Sequence, residues 1–302
     1  MNETSETQKK SAFVAVIGRP SAGKSTLLNA LCGEKVAIVS PVPQTTRNTI
    51  RGIVNRPAGQ LVFIDTPGRH TSDKKLNKKL MDLGDRARAE SELVLYVIDA
   101  TRDIGDEEQE ISSFLAKDQK RMIVAINKID AKAARIPRTR DWIKEAFPDL
   151  GEERILTVSA LKGDKVEELL TALYELAPQG EQLYSDEVYT DQDVPFRIAE
   201  IIREKAISRL RDELPHALYV EVEDTEIRNE GTRLWVRASI IVERESQKGI
   251  VVGKGGMGIK AIRQAAQKDL NRIFDWKVEL DLRVKASKDW RQDDRTLRRL
   301  ID

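Results

Sequence analysis

The stretch GRPSAGKS at residues 18–25 constrains the fold more than any other part of this 302-residue chain. An apolar run at 12–17 precedes it and a helical pattern follows it. In that context, glycines let backbone N–H groups face phosphate oxygens, a lysine reaches the β- and γ-phosphates, and a serine hydroxyl ligates Mg²⁺. The stretch therefore predicts a nucleotide-phosphate loop. Its expected phosphate contacts are Gly18, Ser21, Ala22, Gly23, Lys24, Ser25 and Thr26.

An alternation of apolar runs and helical patterns extends from the loop to about residue 176. The runs at 93–100 and 122–130 are almost continuously apolar, as expected of strands that are covered on both faces. Helical patterns separate the runs, around 75–90, 106–117, 138–146 and 164–176. Strand–helix alternation of this kind predicts an α/β fold with a mainly parallel, doubly wound sheet.

The pattern changes after this region. Residues 178–194 are polar and lack apolar periodicity, so we expect a linker between a first domain at 11–177 and a second at 195–302. The second domain reads as a helix, two antiparallel strands, a glycine stretch, a helix over about 257–273 and a third strand. That order predicts a smaller α+β domain. The polar residues 1–10 are expected to be disordered.

Charge differs between the two parts of the chain. Residues 1–194 hold 28 Lys and Arg against 31 Asp and Glu, whereas residues 195–302 hold 23 against 19. The basic excess favours a polyanionic partner for the second part, and a solvated mixed-charge surface is the alternative. The single cysteine, Cys32, excludes an internal disulfide and fits a reducing cytosol. No apolar signal region is present, so export is not expected.

Three short polar signals end successive predicted strands: DTPG at 65–68, NKID at 127–130 and SAL at 159–161. Doubly wound sheets bind ligands in the crevice at the carboxyl ends of their strands, so these signals should converge on the phosphate loop. There, Asp65 can hold Mg²⁺ through water, and Gly68 can offer its N–H group to the γ-phosphate.

A pair of threonines, Thr45 and Thr46, lies between the first helix and the next strand, where a γ-phosphate sensor belongs. The TTR pattern favours Thr46 as the residue that closes on Mg²⁺, and an ordinary polar loop is the alternative. Lys24, Thr46, Asp65 and Gly68 are together expected to support catalysis, with Ser25 as a further metal ligand.

At this point the chain resembles the translation-factor-related GTPases, whose base-reading motif NKID matches. The resemblance implies that Asp130 accepts two hydrogen bonds from guanine, a donor pair that adenine lacks. It also implies that Asn127 and Lys128 brace the loop and cover the base. The segment whose backbone supports guanine is matched by Ser159, Ala160 and Leu161.

A second glycine loop, GKGG at 253–256, fits G-x-x-G, with a strand-like IVV before it and a helix after it. In this frame it resembles a type II KH domain, in which the loop clamps single-stranded RNA along about four nucleotides. Lys254 would supply charge and the apolar neighbours a groove for bases. The expected RNA contacts are Ile250, Val251, Val252, Gly253, Lys254, Gly255, Gly256 and Ile259.

A GTPase followed directly by this KH type resembles the Era family of bacterial ribosome-associated GTPases, over about residues 11–299. The motifs that carry the resemblance are GRPSAGKST, QTTR, DTPG, NKID and ESQKGIVVGKGG. The resemblance implies a cytoplasmic, monomeric protein that uses GTP, GDP and Mg²⁺. It also implies binding to the 3′ region of small-subunit ribosomal RNA and action on the pre-30S particle during small-subunit assembly.

The chain departs from that family in two places. Ser21 and Ala22 stand where Era relatives commonly have asparagine and valine, so dependence on potassium (K⁺) is not expected. Arg69 follows DTPG where signalling GTPases place a water-orienting glutamine. We expect it to face solvent, and stabilisation of developing phosphate charge is the alternative. His70 is not expected to act as a general base, because phosphoryl transfer depends chiefly on positioning and electrostatics.

Two other functions remain open on sequence grounds. In one, GTP gates contact with a protein and the KH-like domain is only a scaffold. In the other, the chain is an ATP-driven RNA enzyme. The amphipathic helix at 196–210 leaves peripheral contact with the inner face of the cell membrane as a minor alternative to packing on a sheet.

Overall fold

The computed structural model describes residues 9–40, 42, 46–68 and 75–301. Contacts divide the chain into two compact units, 1–37 with 44–191 and 38–43 with 192–302. Expectations for residues 1–8, Thr45, Arg69 and His70 fall outside the described residues. No described helix is long and apolar enough to cross a membrane.

The first unit is a six-stranded sheet with helices on both faces. Its strand order is β2-β3-β1-β4-β5-β6, and all pairings are parallel except that of the edge strand β2 with β3. The strands are β1 (Lys10–Ile17), β2 (Ile50–Arg56), β3 (Gly59–Asp65), β4 (Leu93–Asp99), β5 (Met122–Asn127) and β6 (Ile155–Thr157). The helices are α1 (Lys24–Cys32), α2 (Lys75–Glu90), α3 (Asp106–Leu115), α4 (Ile136–Ala146) and α5 (Val166–Leu176). The predicted mainly parallel α/β fold is confirmed.

Two apolar layers hold this sheet, because its central strands are buried on both faces. All seven residues of β3 and of β4 are buried. One layer contains the buried faces of α1 and α5, and the other those of α3 and α4. Parallel strands that are covered in this way end along one edge, which places the residues after β1, β3, β4 and β5 together.

The polar segment before residue 192 packs along the β2–β3 hairpin. The Tyr189 carbonyl accepts a hydrogen bond from Ile53 N–H at 2.9 Å, and the Gln60 side chain bonds the backbone of Leu183 and Tyr184. Tyr189 also packs against the core. The segment thus lies along the edge of the sheet, although its sequence lacks the periodicity of a strand.

The second unit packs helices against a three-stranded sheet in the order β7-β8-β9. β7 and β8 are antiparallel, and β8 and β9 are parallel. The strands are β7 (Leu218–Arg228), β8 (Arg233–Val242) and β9 (Lys277–Ala286). The helices are α6 (Val194–Ile207), α7 (Glu245–Val252), α8 (Met257–Ile273) and α9 (Asp294–Ile301).

One prediction here was wrong. The IVV run at 250–252 is not strand-like but forms the end of α7. A run of three apolar residues cannot distinguish a strand from the buried side of a helix, and here only Val251 is buried.

Burial accounts for two apolar features of this unit. The apolar side of α6 packs in the core through Ile198, Ile201 and Ile202, so this helix has no apolar stripe left for a membrane. Trp290 is 1% exposed, and its Nε1–H group donates to the Ala217 carbonyl at 3.1 Å. Trp290 therefore packs and is closed to a base.

A short segment from the middle of the chain also belongs to the second unit. Residues 38–43 group with 192–302 rather than with the sheet that surrounds them in sequence. The Val39 N–H group donates to Glu204 Oε1 at 3.1 Å, and Glu204 is buried on α6. Thr46 lies only a few residues further along the chain.

Candidate functional site

The phosphate loop connects β1 to α1 and holds its lysine inside a turn of backbone carbonyls. Lys24 Nζ donates to the carbonyls of Gly18 and Arg19, both at 3.0 Å. Gly23 has φ +96°, and a Cβ atom there would lie 2.3 Å from Asn127 Nδ2. Only glycine fits that turn, which explains why the pattern requires it.

Burial lowers the pKa of the Lys24 ammonium to about 8, although the carboxylates of Asp65 and Glu107 act in the opposite direction. Desolvation disfavours the charged form of a lysine, whereas a phosphate beside it favours that form. The loop is thus an anion site in which binding of phosphate and protonation of Lys24 favour each other.

We expect nucleotide binding to depend on pH through this lysine. Below the pKa of about 8, Lys24 enters the complex already protonated, and above it each pH unit should weaken GDP affinity up to about tenfold. Calorimetry at pH 8 in buffers of different ionisation enthalpy should detect proton uptake on binding. Lys24→Met should remove that uptake, and equal uptake in the variant would contradict the assignment.

Three oxygen atoms next to the loop form a set suited to Mg²⁺. Ser25 Oγ donates to Asp65 Oδ2 at 2.7 Å and lies 3.0 Å from Thr46 Oγ1, which is 3.5 Å from the same carboxylate oxygen. Asp65 Oδ1 is buried without a hydrogen-bond partner among the described residues. Burial raises the pKa of Asp65, with Lys24 opposing it, so a second cation would favour the ionised carboxylate. These residues fit a magnesium site, and Thr46 lies at it.

Gly68 brings the segment after β3 against the phosphate loop. A Cβ atom at Gly68 would lie 2.7 Å from the backbone of Pro20. This close approach explains the glycine in DTPG and leaves its N–H group next to the loop.

Asn127 connects the loop to the two segments that are expected to read the base. Its Nδ2 group donates to the Ala22 carbonyl at 2.9 Å, and its Oδ1 accepts from Lys128 N–H at 2.7 Å and Ala160 N–H at 3.0 Å. The Lys128 ammonium donates to the Ser21 carbonyl at 2.8 Å. One buried amide thus joins three motifs that lie far apart in sequence.

Asp130 is only half-buried. It follows the end of β5, where the chain turns towards solvent. Ser159 Oγ donates to Asp130 Oδ1 at 2.6 Å, and this hydrogen bond lowers the pKa of Asp130. The carboxylate is therefore held ionised. Because Oδ1 is fixed by Ser159, the orientation of Oδ2 is fixed as well. Leu161 is 79% exposed beside the buried Ser159 and Ala160.

Sequence reasoning missed Asp99, the last residue of β4. Its buried carboxylate accepts from Lys128 Nζ at 2.7 Å and from Thr101 N–H at 2.9 Å. Asp99 thus fixes the Lys128 side chain, which is expected to cover the base. Its position at the end of an apolar strand could have identified it as a site residue.

The second glycine loop joins α7 to α8 in the other unit. Gly253, Gly255 and Gly256 have φ values of +71°, +58° and +76°, a left-handed backbone that favours glycine. Lys254 is exposed at the centre of the loop. Gly258, which sequence reasoning missed, allows close packing of the two helices, because a Cβ atom there would lie 2.5 Å from the Val251 carbonyl.

Exposed apolar and basic side chains surround this loop. Ile250 and Met257 are 61% and 64% exposed, whereas Val251 is 1% exposed and its side chain is part of the core. Residues 246–268 contain five Lys or Arg and no Asp or Glu. The loop thus lies in a stretch of sequence with an excess of cations, of which Lys248 pairs with Glu245 just before the stretch.

Two family models match separate parts of the chain. The model of the family "50S ribosome-binding GTPase" matches residues 13–128, and that of the KH domain matches 213–291. The chain is 51% identical to GTPase Era of Treponema denticola, over 96% of this chain and 99% of that protein. It is 45% identical to GTPase Era of Borreliella burgdorferi, over 97% of this chain and the whole of that protein.

Two solved structures resemble the whole chain. One is Era in complex with MgGDPNP and nucleotides 1506–1542 of 16S ribosomal RNA, with TM-score 0.91, 35% identity and coverage of 97% of this chain and 98% of that one. The other is a single-residue variant of Aquifex aeolicus Era bound to GDP·AlF₄⁻, with TM-score 0.90, 35% identity and the same coverage.

Proposed function

We propose, from the premise that this chain belongs to the Era family of GTPases, that GTP hydrolysis times its release from the 3′ region of small-subunit ribosomal RNA. The family is established by identities of 45–51% over nearly the full length. The chain is accordingly a GTPase with a C-terminal KH domain that uses GTP, GDP and Mg²⁺. Its site residues and its RNA belong to the proposal.

In the nucleotide site, each residue acts on a particular part of GTP. The Lys24 ammonium leaves the Gly18 and Arg19 carbonyls for the β- and γ-phosphates, and Ser25, Thr46 and Asp65 hold Mg²⁺. Bound Mg²⁺ neutralises charge that develops on the phosphate oxygens. Gly68 N–H orients the γ-phosphate for in-line attack by water.

Loop amides and the lysine then stabilise the leaving GDP, and phosphate is the second product. Because this chemistry depends on positioning and electrostatics, turnover should be slow without an ordering partner.

The observation that carries the RNA assignment is the G-x-x-G loop within a stretch of five cations and no acids. Backbone N–H groups and Lys254 would hold successive phosphates, and the exposed Ile250 and Met257 would contact bases. The Era structure with nucleotides 1506–1542 of 16S ribosomal RNA supports this choice of RNA. We place the activity in the cytoplasm on pre-30S particles. Peripheral membrane contact is not supported by α6, because its apolar side is packed.

RNA affinity in different nucleotide states tests the proposal. We expect an oligonucleotide with the sequence of that 16S region to bind at least about fivefold more tightly with a GTP analogue than with GDP, a typical size for coupling between two sites. Fluorescence anisotropy measures this, with a scrambled RNA as the control. By linkage the RNA should raise GTP-analogue affinity, relative to GDP affinity, by the same factor. Equal RNA affinity with GTP analogue, with GDP and without nucleotide would rule out the coupling.

A further inference from the structure

We propose that Arg19 and Glu108 form a buried pair that positions the phosphate loop, although neither side chain contacts nucleotide. The inference rests on the proposed role of residues 18–25 in holding phosphate. It assigns to α3, which carries Glu108 and contains no recognised motif, a part in nucleotide binding.

The pair is removed from solvent and is joined by one contact, while Arg19 Nε and Glu108 Oε1 are buried without a hydrogen-bond partner among the described residues. Arg19 Nη1 lies 3.0 Å from Glu108 Oε2, and the two side chains are 4% and 1% exposed. The guanidinium also donates to the carbonyls of Asp103 at 3.5 Å and Asp99 at 3.4 Å. Arginine presents several donors in a fixed plane, so one side chain reaches the end of β4, the following turn and α3.

The backbone of the same arginine forms part of the phosphate loop. Its carbonyl accepts from Lys24 Nζ at 3.0 Å and from Ala22 N–H at 3.3 Å. A shift of the Arg19 side chain therefore moves a carbonyl that holds the phosphate-binding lysine. The Arg19 side chain thus ties the loop to α3 and β4, while the Arg19 carbonyl holds Lys24.

Glu108 is oriented by the apolar side of α3. It lies in the first turn, three residues before the buried Ile111 and seven before the buried Leu115, so it shares their side of the helix. This packing directs a carboxylate into the protein, where Arg19 is its ionic partner. Glu110, two residues later and on another side of the helix, is exposed.

A role in stability alone is the competing explanation, since breaking a buried ion pair destabilises many folds. The two explanations differ for an apolar replacement of both partners. Such pairs are often replaced by packed apolar residues without loss of stability, but an apolar pair cannot make the hydrogen bonds to Asp99 and Asp103. Stability and nucleotide affinity should therefore separate in the double variant.

The experiment compares Arg19→Met, Glu108→Met and the double variant with the unmodified protein, using GDP dissociation, the Tm without nucleotide, and steady-state GTP hydrolysis. We expect both single variants to lose Tm and at least about tenfold in GDP affinity. The double variant should recover most of the Tm but keep the tenfold loss. KM for GTP should rise and kcat should fall, because the same loop holds the substrate and stabilises the leaving GDP.

Recovery of GDP affinity together with Tm in the double variant would show a purely structural pair and overturn the proposal. Should the double variant fail to fold, Arg19→Lys provides a second measurement, since it keeps the charge and loses the planar set of donors. We expect a several-fold loss of GDP affinity there, and unchanged affinity would also overturn the proposal. Glu145→Met, an exposed change on α4, is the control. Failure of the unmodified protein to bind GDP would instead refute the proposed function.

Discussion

Replacing Asp130 with asparagine should reduce affinity for GTP by a factor on the order of 10³–10⁴. The carboxylate accepts two hydrogen bonds from guanine, at N1–H and at the exocyclic amine, and an amide in its place opposes the amine with its own N–H group. Xanthine carries a carbonyl where guanine carries that amine. The variant should therefore gain affinity for xanthosine triphosphate.

Competition of unlabelled nucleotides against a fluorescent GDP analogue measures both changes. Asp141→Asn, an exposed carboxylate on α4, is the matched control and should bind GTP normally. An unchanged preference in Asp130→Asn would refute guanine selection by this residue and favour the ATP-driven alternative. Ser159→Ala should give a smaller loss of the same sign, because it removes the hydrogen bond that orients Asp130.

Replacing both Lys254 and Gly255 with aspartate should weaken RNA binding at least about 100-fold at physiological salt, because two carboxylates then face the phosphates. A Cβ atom at Gly255 meets nothing within 4 Å, and aspartate tolerates its φ of +58° better than most residues. The fold of the second unit should survive the change. GDP affinity should be unaffected, since both substitutions lie in the KH unit.

Gly255→Asn is the matched control, with the same shape and backbone preference but no charge, and it should retain most RNA affinity. Lys254→Ala alone should reduce the slope of log affinity against log salt by about 1, as expected for one phosphate contact. RNA binding that persists in the double aspartate variant would favour the alternative in which the KH domain is a scaffold and GTP gates a protein partner.

The nucleotide-binding fold was predictable because each of its parts has a local chemical requirement. A loop that wraps phosphate needs glycines at fixed offsets, and strands buried on both faces need apolar runs. Gly23 and Gly68 bear this out, since any Cβ atom at either position would collide with another motif of the site. The family assignment followed from the order of these motifs and is confirmed.

Contacts between distant parts of the chain were not predictable in this way. Glu108 and Asp99 look like ordinary helix-surface and strand-end acids until the fold brings a cation to each. The strand-like reading of 250–252 failed because tertiary packing, not the three side chains themselves, decides whether such a run continues a helix. The half-exposed position of Asp130 depends on the turn after β5, which the motif does not specify.

The residues that join the C-terminal unit from the middle of the chain limit how freely the two halves can be exchanged in evolution. A gene fusion at the linker would transfer 192–302 without 38–43, and thus without the backbone donor that Val39 gives to Glu204. In the transferred KH domain, Glu204 would lose the hydrogen bond from Val39, which is encoded far upstream in the gene. We therefore expect the GTPase domain and its KH domain to be inherited together rather than exchanged separately.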